Sequence, residues 1–138
     1  TKILEYAKRQ GVLATVENMD SDKDVVSIKY WDDLHRLFED TGSTEKWITL
    51  DITHIRDTAQ TLEFIEKAGS HIAHVHLSDG THNKMHLRIG QGELDLRKIV
   101  ATLREKGYSG VWSLECFIAN NTEEQMREEF EQAKALFD

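Results

Sequence analysis

Four short β-like runs alternate with four helix-like patterns along this chain, and that alternation constrains its fold more than any other feature. VLATVEN at 12–18, WITLD at 47–51, HIAHVHL at 71–77 and VWSLECF at 111–117 are rich in the β-branched, aromatic and aliphatic residues that suit strands. Tyr30 to Asp40 sets Leu34, Leu37 and Phe38 on one helical face and stops at Gly42. Thr58, Leu62, Ile65 and Gly69 outline a second helix, and Leu94 to Lys106 a third, with Ile99, Val100 and Leu103 inside and Gly107 closing it. The last follows the capping residues Asn121 and Thr122, with Met126, Phe130, Ala133 and Phe137 along one face. Residues 1–9 read as the end of a preceding helix, broken at Gly11. Strands that each lead into a helix imply parallel βαβ units with right-handed crossovers. Two architectures satisfy this order: a small doubly wound sheet, or a segment of a (β/α)8 barrel. A full barrel takes about 250 residues, so the 138 residues here form a single domain, 1–138, equal on the barrel reading to half of one.

Composition narrows the functional classes. Hydrophobic residues at 39% and charged residues at 30% place the chain among globular proteins. No apolar run approaches the roughly 20 residues that span a bilayer, and TKILEYAKRQ carries charges throughout, unlike a signal peptide. A single cysteine, Cys116, rules out an internal disulfide and points to a reducing, cytoplasmic setting. The formal net charge of −8 disfavours nucleic acid, whose binding rests on Lys and Arg meeting phosphates. The start at Thr1 suggests a processed chain or a fragment of a longer one.

Strand periodicity then places the polar residues. Side chains alternate between sheet faces, so Leu13, Thr15 and Glu17 share one face; Trp47, Thr49 and Asp51, Ile72, His74 and His76, and Val111, Ser113 and Glu115 share the same face on their own strands. The opposite face, Ala14, Val16, Ile48, Leu50, Ala73, Val75, Leu77, Trp112 and Leu114, is apolar throughout and would be covered by helices. Glu17, Asp51, His76 and Glu115 thus fall near the carboxyl ends of successive strands, where ligands bind in both candidate architectures. Three converging carboxylates repel one another unless a cation lies between them. Together with one imidazole they suit a single divalent ion such as Mn, Zn, Co, Mg or Fe. A lone acid after a strand is usually a solvated or capping residue; four such residues in register are not explained that way.

ATVEN, ITLDITHI, HVHLSDG, HLRIGQGELD and VWSLEC, in this order, resemble the C-terminal half of the xylose isomerase-like TIM barrels, a superfamily of sugar isomerases and epimerases that also includes nucleases of the endonuclease IV type. The resemblance implies a (β/α)4 half-barrel corresponding to strands five to eight. It further implies that Glu17, Asp51, His76 and Glu115 are the metal ligands, and that Glu17 and Glu115 serve as acid and base for a proton next to a carbonyl. His54 matches the histidine of the family's D-x-x-H, which touches substrate or a second metal. In the endonuclease branch a D-x-H pair binds a further zinc; here Lys84 replaces the acid while His86 is kept. Lys84 and Arg88 would instead meet a substrate carboxylate or phosphate.

The functional expectation is a divalent-metal-dependent isomerase or epimerase of a small sugar or sugar phosphate. An endonuclease IV-like phosphodiesterase and a non-catalytic half-barrel stand as alternatives. The substrate would be a small carbohydrate, with neither nucleic acid nor membrane as partner. A separate N-terminal half-barrel, or a second copy in a homodimer, would complete the barrel. Other patterns fail: DSDKD at 20–24 resembles an EF-hand start, but Val25 and Trp31 occupy its glycine and closing glutamate positions. GQG at 90–92 reads as a turn before the Leu94 helix, Cys116 as a structural thiol, and His74 as a residue lying beneath His76.

Overall fold

The computed structural model describes residues 2–20, 28–41, 47–118 and 122–138. Its main sheet is built from the four expected runs, as β1 (Val16–Glu17), β2 (Ile48–Asp51), β3 (Ile72–Leu77) and, after a separate hairpin, β6 (Val111–Leu114). All three pairings are parallel, and the order is β1-β2-β3-β6. Each successive sheet strand therefore adds to the same side of its predecessor. A doubly wound sheet reverses direction at its switch point; this one does not, so it is the wall of a barrel.

Among the described residues five helices accompany the strands: α1 (Lys2–Arg9), α2 (Trp31–Thr41), α3 (Thr58–Ala68), α4 (Leu96–Glu105) and α5 (Glu123–Lys134). Side-chain caps fix three of their starts. Asp57 accepts from Gln60 N at 2.8 Å, Asp95 accepts from Lys98 N at 3.1 Å, and Thr122 forms a reciprocal capping box with Gln125. Because Asp95 is the cap, α4 begins at Leu96 rather than at the expected Leu94. The core lies between sheet and helices. Ile48 and Leu50 of β2 and Val75 and Leu77 of β3 pack with Phe64 and Ile65 of α3 and Ile99 and Leu103 of α4. All four residues of the central strand β2 are buried.

The structure departs from the sequence reading elsewhere too. β1 keeps only two residues of the VLATVEN run, and Val12 and Leu13 are exposed, because the run has a described partner on one side alone. Residues read as loop form an antiparallel hairpin, β4 (Asp79–Thr81) with β5 (Lys84–Leu87), standing apart from the sheet. Leu114, expected beneath a helix, is exposed at the end of the outermost strand. On α5 the inward line is Glu129 and Ala133, with Leu136 and Phe137 packed behind, whereas Met126 and Phe130 are 50% and 58% exposed. The cause is Glu129, whose backbone and side-chain partners all lie inward. Gly42, residues 21–25 around the DSDKD run, and Asn121 lie outside the described residues. Among the described residues no helix is long and apolar enough to cross a membrane.

Candidate metal centre

Glu17 ends β1, Asp51 ends β2, His76 is the penultimate residue of β3, and Glu115 directly follows β6. The four do not sit at one level of the ladder. Asp51 pairs with His76 and His76 with Ser113, while Glu17 pairs with Thr49. Strands of a barrel are tilted and staggered, and this brings the side chains together from unequal registers. One ligand atom from each of Glu17, Asp51, His76 and Glu115 lies within 4.8 Å of the others. Nδ1 of His76 is 3.6 Å from Oε1 of Glu17 and 3.6 Å from Oδ2 of Asp51, and it contacts Oε2 of Glu115.

The hydrogen bonding divides the Asp51 carboxylate in two. Oδ1 accepts from Thr53 N at 2.8 Å, Thr53 Oγ1 at 2.9 Å and His54 N at 3.1 Å. Oδ2 is buried and makes no hydrogen bond, and buried Nδ1 of His76 makes none either. A buried polar atom left unpaired costs about 1–3 kcal/mol, so two such atoms facing each other call for a shared partner. Two ligand atoms about 2.1 Å from one ion at a tetrahedral angle stand about 3.4 Å apart, close to the spacing found here. The oxygen and imidazole donors fit a divalent cation. Burial holds the Glu17 carboxyl above its ordinary range; His76 and His54 pull it down, and Asp51 and Glu115 raise it further.

Neighbouring residues hold this set in place. Asn18 is fully buried and brackets the Asp51 backbone: its Oδ1 accepts from Asp51 N at 2.7 Å and its Nδ2 donates to Asp51 O at 3.0 Å. The Asn18 carbonyl accepts from Nδ1 of His54 at 2.6 Å, which fixes the tautomer and leaves Nε2 of His54 without that proton. His86 lies edge-on to His54 and, despite a left-handed φ of 56°, places Nδ1 3.0 Å from the carbonyl of Glu115. Asp51, His54 and His86 form a second group whose ligand atoms lie within 4.8 Å of one another. His74 sits edge-on beneath His76 and bonds Ser113 Oγ at 3.0 Å; burial and then the charge of His76 lower its pKa.

Lys84 and Arg88 are not part of either group. Lys84 is exposed on β5, and Arg88 directs Nε to Glu129 at 2.9 Å and a terminal nitrogen to Glu128 at 3.1 Å. The Cys116 thiol is pushed up to about 11 by burial and by Glu129, which leaves it protonated and inert. Three buried polar residues, Asn18, Asp79 and Glu129, escaped the sequence reading. Asn18 and Asp79 had visible signals, since one follows a candidate ligand directly and the other precedes a glycine-rich turn, whereas Glu129 looked like any charge on an exposed helix.

A staggered parallel wall with acids and an imidazole at its carboxyl ends defines half of a (β/α)8 barrel with a candidate metal centre. The chain belongs to the xylose isomerase-like TIM barrel family, which it matches over residues 1–136. It is 34% identical over 119 residues to an uncharacterized protein of Methanocaldococcus jannaschii, covering 83% of this chain and 40% of that one. A D-tagatose 3-epimerase-like protein of known structure is 29% identical with a TM-score of 0.79, covering 99% of this chain and 51% of that one. A 3-keto-D-glucoside 4-epimerase from E. coli shares the fold at 21% identity and a TM-score of 0.78, over 99% of this chain and 50% of its own length. The chain therefore spans about half the length of these solved structures.

Proposed function

We propose that this chain is the metal-bearing C-terminal half of an isomerase or epimerase acting on a small sugar or sugar phosphate. The observation that carries the reading is that buried Asp51 Oδ2 and His76 Nδ1 face each other without a hydrogen bond, with Glu17 and Glu115 within ligand distance of both. Glu17, Asp51, His76 and Glu115 would hold one divalent ion. Bound there, it supplies Lewis acidity at a substrate carbonyl and offsets the clustered negative charge. The remaining work falls to the side chains. Glu17 and Glu115 come from opposite ends of the four-stranded wall and reach toward a common point, as acid and base exchanging a proton at one carbon must. His54, held by Asn18 with Nε2 free of that bond, would orient a substrate hydroxyl. The half-barrel would need walls from a first half, in the same polypeptide or a partner, to enclose a sugar.

Metal content by elemental mass spectrometry on chelator-free protein tests this. About one divalent ion per chain, lost in Glu115→Gln and kept in Cys116→Ala, is the expected result. Equal content in wild type and Glu115→Gln would overturn the assignment. The Asp51–His54–His86 group favours a second reading, a phosphodiesterase with more than one ion. Lys84 and the net charge of −8 weigh against it. Two or more zinc ions per chain, with salt-sensitive DNA binding, would restore it.

A further inference from the structure

Glu129 of α5 is fully buried, and the metal centre makes no direct use of it. Its Oε1 accepts from Ile89 N at 2.6 Å and its Oε2 from Arg88 Nε at 2.9 Å. Burial pushes the Cys116 thiol up, and the charge of the Glu129 carboxylate raises it further. These residues belong to two segments that meet again at the site. Arg88 and Ile89 leave the β4–β5 hairpin, and Cys116 follows Glu115. Phe117 N donates to His86 O at 2.8 Å, and Nδ1 of His86 donates to Glu115 O at 3.0 Å. Glu115 itself has left the β6 ladder and, among the described residues, keeps one backbone link to the sheet, from its N to Leu77 O at 3.1 Å, beside its side-chain contact with His76. The described backbone around this ligand is thus held by one strand bond, by His86 and by the carboxylate behind it.

A buried ion pair is a poor route to stability. Its desolvation costs several kcal/mol per ion, and an apolar residue of similar volume often does as well or better. Packing alone therefore gives no reason for a charge at position 129. A carboxylate receiving directed bonds from a planar guanidinium and a backbone amide fixes positions, which packing does less sharply.

We propose that Glu129 is a positioning residue for the metal centre, holding Glu115 at its ligand position through the Arg88–Ile89 segment and His86, which bonds the Glu115 carbonyl and the Phe117 amide. The inference rests on the metal-centre reading above. Residues that orient metal ligands typically change metal affinity about 10–100-fold when replaced.

The test is Mn²⁺ titration by calorimetry on wild type, Glu129→Gln, Glu128→Gln, Glu115→Gln and the Glu115→Gln/Glu129→Gln double variant, at a temperature where circular dichroism shows each folded. Glu129→Gln is expected to weaken Mn²⁺ binding by about 10–100-fold. Glu128→Gln, which removes only the exposed half of the Arg88 contact, should bind like wild type. On top of Glu115→Gln, the Glu129 change should add no further loss, because the ligand it orients is already gone. An equal loss in both backgrounds would mean general loosening and would overturn the proposal, as would wild-type affinity in Glu129→Gln. Should Glu129→Gln not fold, Arg88→Gln reads the same coupling to Glu115 from the other partner. Absence of Mn²⁺ binding by wild type would overturn the metal-centre reading, and this inference with it. Binding by wild type with no effect at 129 overturns this inference alone.

Discussion

Nδ1 of His76 stands 3.6 Å from Oδ2 of Asp51, both atoms buried and neither hydrogen-bonded. The other Asp51 oxygen receives three donors, so the carboxylate is oriented before any ligand arrives. A preformed site that gains its ion only when folded transfers the binding energy to stability. Mn²⁺ at 100 times its dissociation constant should stabilise the chain by about 2.7 kcal/mol, on the order of 10 °C in Tm for a domain of this size. Asp51→Asn should abolish that shift, as read by differential scanning calorimetry with and without metal. A shift that survives Asp51→Asn would place the ion elsewhere.

Metal-free protein should respond to Glu17→Gln in the opposite sense. Burial raises the folded-state pKa of Glu17 above its ordinary 4.5. A raised carboxyl binds protons more readily folded than unfolded, so stability is lost as pH rises from the unfolded value through the folded one. At about pH 7.5 the ionised group costs stability and Gln removes the cost, while at about pH 4 the two proteins should melt alike. The check is a pair of thermal melts in chelator. A Glu17→Gln protein less stable than wild type at the higher pH would contradict the raised pKa.

The four sheet strands and the four candidate ligands were legible because period-two alternation is local: Ile48, Leu50, Val75 and Leu77 mark one face whatever the rest of the chain does. What remained hidden depends on partners far along the chain. Asn18 brackets an Asp51 backbone lying 33 residues away. The hairpin at 79–87 has too few apolar residues to show a period and is closed by backbone pairing between Thr81 and Lys84. On α5, Met126 and Phe130 define the apolar stripe, yet the helix turns Glu129 inward because Arg88 and Ile89 offer it bonds. The same pairing engages the Arg88 guanidinium, for which the sequence suggested a substrate contact. Only the fold shows that a charge can outbid two hydrophobic residues for the inner face.

Asp79 explains why the turn after the hairpin is glycine-rich. Its buried carboxylate accepts from Gly90 N at 3.0 Å, Gly92 N at 2.9 Å and Leu94 N at 3.3 Å. A Cβ on Gly92 would run into Asp79 Oδ1 and the Gly80 backbone, whereas Gly90 has open space and only its φ of 81° to defend. Gly90→Ala should therefore cost about 1–2 kcal/mol, and Gly92→Ala more, about 3 kcal/mol or above, with the carboxylate displaced. Urea unfolding of the two variants checks the ranking. Equal costs would mean that Asp79 does not anchor the turn.

Among the described residues, β1 and β6 each lack a strand on one side. Leu13 near one edge, Val111 and Phe117 near the other, and Phe130 on the adjoining helix are all exposed. Open parallel sheets with uncovered edges and apolar faces associate with whatever offers pairing, and the related solved structures are about twice this length. Purified as these 138 residues, the chain should self-associate at about 100 µM or below. Charging the edge by Val111→Lys and the helix by Phe130→Glu should shift it toward monomer, since charges on an edge disfavour pairing. Sedimentation velocity across a dilution series reads both. The ligand side chains are untouched by these changes, so Mn²⁺ affinity should persist in the monomer. If it fell with association, the site would require a second chain to form, and the half-barrel's metal centre would be a property of the assembly rather than of the four strands that carry its ligands.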